Sequence, residues 1–224
     1  MKTDIQIQKD VMEELEWEPY LNSSEIGVAV KNGVVTLSGT LNSFSKKIAL
    51  ERAVKRVKGV RAIAEDIEVS VTPALSKTDS EIAEAVLNTL KWQTTIPDED
   101  IYVKVEDGIV KLEGQTDWDF QRSSAKSVIE NLIGVRSVIN LITLKPGLNS
   151  GNIHQQINAA FERNARIDSG KIDVTVNGTT VILSGKVRSF TEKDDAETAA
   201  WLAPGVTAIE NNLEVELPSY AFNL

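Results

Sequence analysis

Apolar residues fall on every fourth position in three separate stretches: Ile7, Val11 and Leu15; Ile82, Val86 and Leu90; Ile153, Ile157 and Phe161. Spacing of four over two turns places each trio on one stripe of an amphipathic helix. Thr3 with Gln6, and Thr78 with Glu81, have the capping-box spacing that satisfies orphan amides at a helix start. The period then changes to two, in Ile26, Val28, Val30; Ile101, Val103, Val105; and Ile172, Val174, Val176. Alternating β-branched residues predict a half-buried strand. Asn32-Gly33, Asp107-Gly108 and Asn177-Gly178 supply the positive φ angles of a tight hairpin turn. In the third stretch the glycine comes one position early, which predicts a different turn type. Return strands carry Val35 and Leu37, Val110 and Leu112, Val181 and Leu183. A second helix follows. Its inner side is rich in small residues, such as Ala49, Ala53 and Val57 in the first stretch and Ala196, Ala199 and Ala200 in the third. A last strand holds Val60, Ile63, Ile67 and Val69; Val135, Val138, Ile142 and Leu144; or Val206, Ile209, Leu213 and Val215.

The whole pattern is written three times. Gly39, Gly114 and Gly185 each follow the return strand as the predicted opening of a loop, and Gly59, Gly134 and Gly205 come 20 residues later, each followed by valine. The second set fits a left-handed residue just past a helix end. Pro204 should push Ala203 out of helical geometry and end the third such helix early. The prediction is an α+β chain of three tandem αββαβ modules, over residues 1–74, 75–147 and 148–224. Each is a small three-stranded mixed sheet with two helices packed on one face. The hairpin fixes one antiparallel pair, and right-handed crossover favours a parallel pair between the second and third strands, with a third strand beside the first left open. Modules of about 70 residues are marginally stable alone, so packing between copies or a homo-oligomer is expected.

The order αββαβ, the GVVTLSG of Gly33–Gly39, the DGIVKLEG of Asp107–Gly114 and the Gly-Val pair after the second helix resemble the BON domain family. That resemblance covers nearly the whole chain, three times. It implies a bacterial, non-enzymatic binding protein. It also implies association with phospholipid or membrane interfaces, and roles in envelope stress protection, transport or chaperone-like activity. The motif residues are structural glycines and core aliphatics, so the resemblance carries over no catalytic residue.

Composition agrees with a chain that binds rather than reacts. Cysteine is absent, so disulfide and thiolate chemistry are excluded. His154 is the one histidine, and the other copies hold Gln8 and Ala83 at its position, which argues against shared acid–base or metal chemistry. Asp98-Glu99-Asp100 lacks the spacing of a calcium loop, and no glycine run has the ending of a phosphate loop. No cofactor and no metal are expected. The start of the chain has no apolar run, and no stretch is long enough to span a bilayer. The expected compartment is the cytoplasm as written, or the periplasm if a signal peptide has been removed.

Charge gives the best functional lead. The net charge is −9, yet Lys46, Lys47, Arg52, Lys55, Arg56, Lys58 and Arg61 face only Glu51 along the second helix of the first copy. Such a strip is a candidate contact for anionic headgroups, each basic group near the surface adding about 1 kcal/mol. The bland alternative is a solvated face balanced by Glu13, Glu14, Glu16 and Glu18. The overall charge and the lack of interleaved aromatic and basic residues argue against nucleic acid. The remaining partners are an anionic lipid surface or a protein. Trp17 and Trp92 occupy equivalent positions, with Arg163 in the third copy. They are read as covers for the end of the sheet core, or more sharply as anchors at a lipid interface or between modules. Tyr220 and Phe222, after Pro218, are a docking segment or a tail.

Overall fold

The computed structural model describes residues 2–70, 76–145 and 152–216. Tyr220 and Phe222 lie outside them. Module one comprises α1 (Asp4–Glu16), β1 (Ile26–Lys31), β2 (Val34–Leu41), α2 (Phe44–Arg56) and β3 (Ala62–Val69). Module two comprises α3 (Asp79–Trp92), β4 (Ile101–Glu106), β5 (Ile109–Thr116), α4 (Asp119–Ile129) and β6 (Ser137–Leu144). Module three comprises α5 (Ile153–Arg163), β7 (Ile172–Asn177), β8 (Thr180–Val187), α6 (Phe190–Trp201) and β9 (Ala208–Val215). A one-turn 3₁₀ helix enters each first strand, at Ser23–Glu25, Asp98–Asp100 and Ser169–Lys171.

The second strand is central in every sheet. β4 and β5 pair antiparallel, with Val103 opposite Leu112, and β5 and β6 pair parallel, with Leu112 opposite Asn140. β7, β8 and β9 repeat this register. The third strand beside the first, left open by the sequence, is not the arrangement. The apolar trios of α1, α3 and α5 are all buried. Both predicted capping boxes form, Thr3 with Gln6 and Thr78 with Glu81.

The turns explain several sequence signals. Asn32 and Gly33 have φ of 53° and 75°, and Asp107 and Gly108 of 52° and 74°, the two positive values a type I′ turn requires. In module three the loop shifts to Gly178-Thr179, because Asn177 pairs with Thr180 and only Gly178 is positive, at 63°. That is the type II′ pattern, so the turn differs as predicted. Helix and hairpin are tied together by one carboxylate. Asp4 accepts from the amides of Asn32 and Gly33 at 2.7 and 2.9 Å, and Asp79 from those of Asp107 and Gly108 at 2.9 Å each.

The repeated glycines do different work from that predicted. Gly39, Gly114 and Gly185 sit inside β2, β5 and β8 rather than opening loops. A Cβ on Gly39, Gly114 or Gly185 would lie 2.3, 2.0 or 2.2 Å from the carbonyl oxygen of Glu25, Asp100 or Lys171. They are the places where the chain entering the first strand passes against the second. Gly59, Gly134 and Gly205 do have positive φ, of 103°, 93° and 93°, but lie three to five residues beyond Arg56, Ile129 and Trp201. Each is the third residue of a turn closed by Val60, Val135 or Val206, whose amide donates to the carbonyl of Val57, Leu132 or Ala203. A positive third residue is the type II position. Pro204 takes the second position of that turn, which suits its fixed φ. α6 ends one residue further from its glycine than α2 does and one residue nearer than α4 does, so the copy with Pro204 is not the one whose helix ends earliest.

Two compact units result. The first holds module three and all of module one except Thr40–Ile48 and the end of β3. The second holds module two with those segments. In the second unit, Phe44 is buried in the same cluster as Ile82, Val86, Leu90, Leu112 and Ile129, with Ile48 and Val69 packed alongside. In module three, Phe161 is the largest fully buried side chain among the described residues, packed with Ile157, Leu183, Ala196 and Ala200. On α2 the buried set is Leu50, Ala53 and Val54, followed by Val57, while Ala49 is only half-buried.

Candidate binding surface

The seven basic residues predicted as a strip have different settings. Lys46 and Lys47 are half-buried in the first turns of α2, and both have polar partners. Arg52 is exposed and also partnered. Lys55 lies 3.0 Å from Glu51 and 3.1 Å from Asp194 of module three, and its carbonyl accepts from the Thr191 hydroxyl at 3.3 Å. Burial pulls its ammonium pKa down, but the bond to Glu51 and the charges of Asp194 and Glu51 outweigh this and raise it. Arg56 donates through Nε to Glu14 at 2.7 Å and through Nη2 to Glu18, so two of the acidic neighbours on the α1 side do balance it. The bond to Glu18, then that to Glu14, raises its pKa. Lys58 and Arg61 are exposed, with no side-chain ion pair among the described residues. The stem of Arg61 lies over Gly33, and its amide donates to the Gly33 carbonyl at 2.8 Å.

Trp17 and Trp92 do not cover the core, and each is 84% exposed. The reason is angular. The buried stripe ends at Leu15 and Leu90, and two further residues turn about 200° to the solvent side. In the first unit Trp17 shares a cleft of 310 Å³ with Arg56, Lys58, Lys2, Asp10, Glu13 and Glu14. Arg56 and Lys58 also line a second cleft of 490 Å³ with Arg166, Arg188, Ser189, Thr191, Glu192 and Asp195 of module three. An exposed indole therefore stands beside an unpaired lysine, and that lysine borders three arginines.

Glu192 organises the module-three wall and was missed as a structural residue. It is 3% exposed. Its carboxylate accepts from the amides of Asp168 and Arg188 at 2.8 and 2.7 Å, and from Arg188 Nε and Nη2 at 3.0 and 3.1 Å. Burial pushes this carboxyl up, but the Arg188 guanidinium and the two amides outweigh it, and the pKa falls below the usual range. A depressed carboxylate stabilises the fold above its unfolded pKa of about 4.5 and loses that contribution as pH falls through the folded value. Module three is accordingly expected to weaken below about pH 4.5. Glu192→Ala should cost about 2–3 kcal/mol at pH 7 by orphaning two amides. Urea melts at pH 7 and pH 3.5 check this, since the gap between the variant and the wild type should narrow as the pH falls. Ser189-x-x-Glu192 is the sequence signal that could have found it.

His154 is exposed beside Asn158, and among the described residues no three His, Cys, Asp or Glu side chains gather as a metal site. Asp100 of the acidic run pairs with Lys145 at 2.8 Å. Among the described residues no helix is long and apolar enough to cross a membrane.

Osmotically-inducible protein Y of Escherichia coli (strain K12) is 27% identical over 129 residues, which span 56% of this chain and 64% of that protein. The match thus takes in a little under two thirds of the relative's length. Two solved structures of CdsD, a structural protein of the type III secretion system of Chlamydia trachomatis, also match. They are 14% and 13% identical, with TM-scores of 0.26 and 0.27. They cover 97% and 94% of this chain, and the chain covers 100% and 92% of them. The family model described as the BON domain matches residues 3–71, 78–146 and 149–216. Three matches over most of the sequence, each on one αββαβ module, place this chain in the BON domain family.

Proposed function

We propose that the chain is a non-catalytic binding protein that associates with anionic phospholipid surfaces through module one, in a stress-protective or transport-associated role. The observation that carries this reading is the exposed Trp17 in one cleft with Arg56 and Lys58. Indoles favour the membrane–water interface, where one face is apolar and the N–H is wet. Adjacent cations add attraction to anionic headgroups. Of the seven predicted contacts, Lys58 and Arg61 are the best placed to reach a surface, and Arg52 and Arg56 follow. Lys55 is committed to Glu51 and Asp194. The likeness to an osmotically inducible protein supports a stress role.

Lys58→Glu should reduce binding to anionic vesicles about tenfold at low salt and leave the melting curve unchanged, because the side chain has no partner among the described residues. Trp17→Ala should weaken binding at low and high salt alike. Cosedimentation of both variants checks this, and wild-type binding by both would remove module one from the reading.

A protein-adaptor role is the second reading, and one observation favours it. The outer sheet face of module two exposes Tyr102, Ile109, Ile139 and Leu141. The register puts them on one face, with Tyr102 opposite Glu113 and Glu113 opposite Leu141. The equivalent positions are Gly27, Val34, Ala64 and Asp66 in module one, and Asp173, Thr180, Glu210 and Asn212 in module three. Pull-down of partners that is lost on Leu141→Glu would favour this reading.

A further inference from the structure

The 490 Å³ cleft between α2 and module three holds more than unordered surface charge. Its cations are Arg56, Lys58, Arg166 and Arg188. Two of these are held in place by carboxylates. Arg56 is fixed by Glu14 and Glu18 through Nε and Nη2. Arg188 is fixed by Glu192 through the same two nitrogens, and its Nη2 also donates to the Arg166 carbonyl at 3.0 Å. Each guanidinium keeps its Nη1 without a hydrogen bond among the described residues. Lys58 Nζ is likewise unpaired. Among the described residues the Arg166 side chain makes one long pair, 3.7 Å from Asp195 Oδ2, and it is 74% exposed. Four donors from two modules thus border one space, and two of them have already lost their side-chain freedom. The opposing charges in the lining are Glu192, saturated by four donors, and Asp195, whose Oδ2 is enclosed without a hydrogen bond.

We propose that this cleft seats one phosphate monoester, its terminal oxygens taken by Arg56, Lys58, Arg166 and Arg188. A monoester offers three oxygens and close to two negative charges at neutral pH, against one charge for a diester. Pre-oriented guanidiniums suit such a group, since little entropy remains to be lost on binding. The site needs both modules. Lys55–Asp194 and the Thr191–Lys55 carbonyl bond are contacts that hold α2 against α6 beside it. A lipid source for the phosphate rests on the membrane reading above, whereas a soluble phosphate ester does not.

Amide NMR of the full chain during titration with glycerol 3-phosphate tests the site. The amides of Arg188, Ser189, Thr191 and Lys58 should shift in a saturable way. Arg166→Gln and Lys58→Gln should each weaken binding about tenfold with unchanged thermal melts. Trp17→Ala should leave this titration as in wild type. Vesicles with phosphatidate in place of phosphatidylglycerol then identify the source. Tighter binding to phosphatidate that is lost on Arg166→Gln assigns a lipid. Equal binding to both vesicles, with the soluble titration intact, assigns a soluble ester to the same cleft. The proposal is overturned if these amides do not shift, or if Arg166→Gln and Lys58→Gln titrate as wild type. Vesicle binding that survives such a result would leave the surface reading in place without the cleft.

Discussion

Gly114→Ala should destabilise module two by about 3–5 kcal/mol, a large part of the roughly 4–10 kcal/mol expected for a domain of this size. Two effects combine. The φ of 136° is one that an L side chain rarely adopts. The added methyl would also sit 2.0 Å from the Asp100 carbonyl oxygen and 3.1 Å from its carbon. Backbone cannot give way there without breaking the β4–β5 pairing at Ile101 and Gly114. Gly178→Ala is the internal control, because nothing lies within 4 Å of its added carbon and φ is 63°. That change should cost only about 1 kcal/mol. Urea melts of both variants test this, and a Gly114→Ala midpoint as mild as that of Gly178→Ala would contradict the close-approach account.

Phe161→Ala should cost about 3–5 kcal/mol and fall at the upper end of that range. Modules one and two have Leu15 and Leu90 at this position, with larger residues on the second helix: Leu50 and Val54 in module one, and Ile129 beside Ala125 in module two. Module three pairs its phenylalanine with Ala196 and Ala200, both fully buried. Volume has moved from one helix to the other. Truncating Phe161 therefore leaves a hole whose wall on α6 is alanine, and those short side chains cannot fill it. Phe161→Leu should cost less, and Phe161→Leu with Ala196→Leu should recover part of the loss, as coupled neighbours do. Hydrogen exchange should place the loss in module three, with the amides of α3 and β5 in module two unaffected.

Periodicity alone revealed the elements, their order and the core stripes, because the trios at spacing four and two are set by burial on one side. Turn chemistry was legible too, down to the shifted glycine at Gly178. The roles of Gly39, Gly114 and Gly185 were not, because a close pass between distant backbone segments leaves no local signal. Trp17 and Trp92 are apolar enough to suggest a cover for the core, but helical angle puts them in solvent, so of the two readings only the cover fails. The basic strip was legible as charge, but its division was not. Lys55 meets Asp194, 139 residues away, and Arg56 meets Glu14 and Glu18, and no spacing rule joins them. Arg166 and Arg188 reach Arg56 and Lys58 only because α6 packs beside α2, a contact between distant segments that no local pattern signals.

The central claim is attraction between module one and an anionic lipid surface. Cosedimentation of the full chain with phosphatidylglycerol vesicles and with phosphatidylcholine vesicles, at 20 and 500 mM salt, tests it directly. Screening shortens from about 20 Å to about 4 Å over that range, so contacts through Lys58 and its neighbours should fade. The chain should pellet with the anionic vesicles at low salt, lose most of that binding at high salt, and pellet little with the neutral ones. A chain that stays in the supernatant with anionic vesicles at 20 mM salt would contradict it.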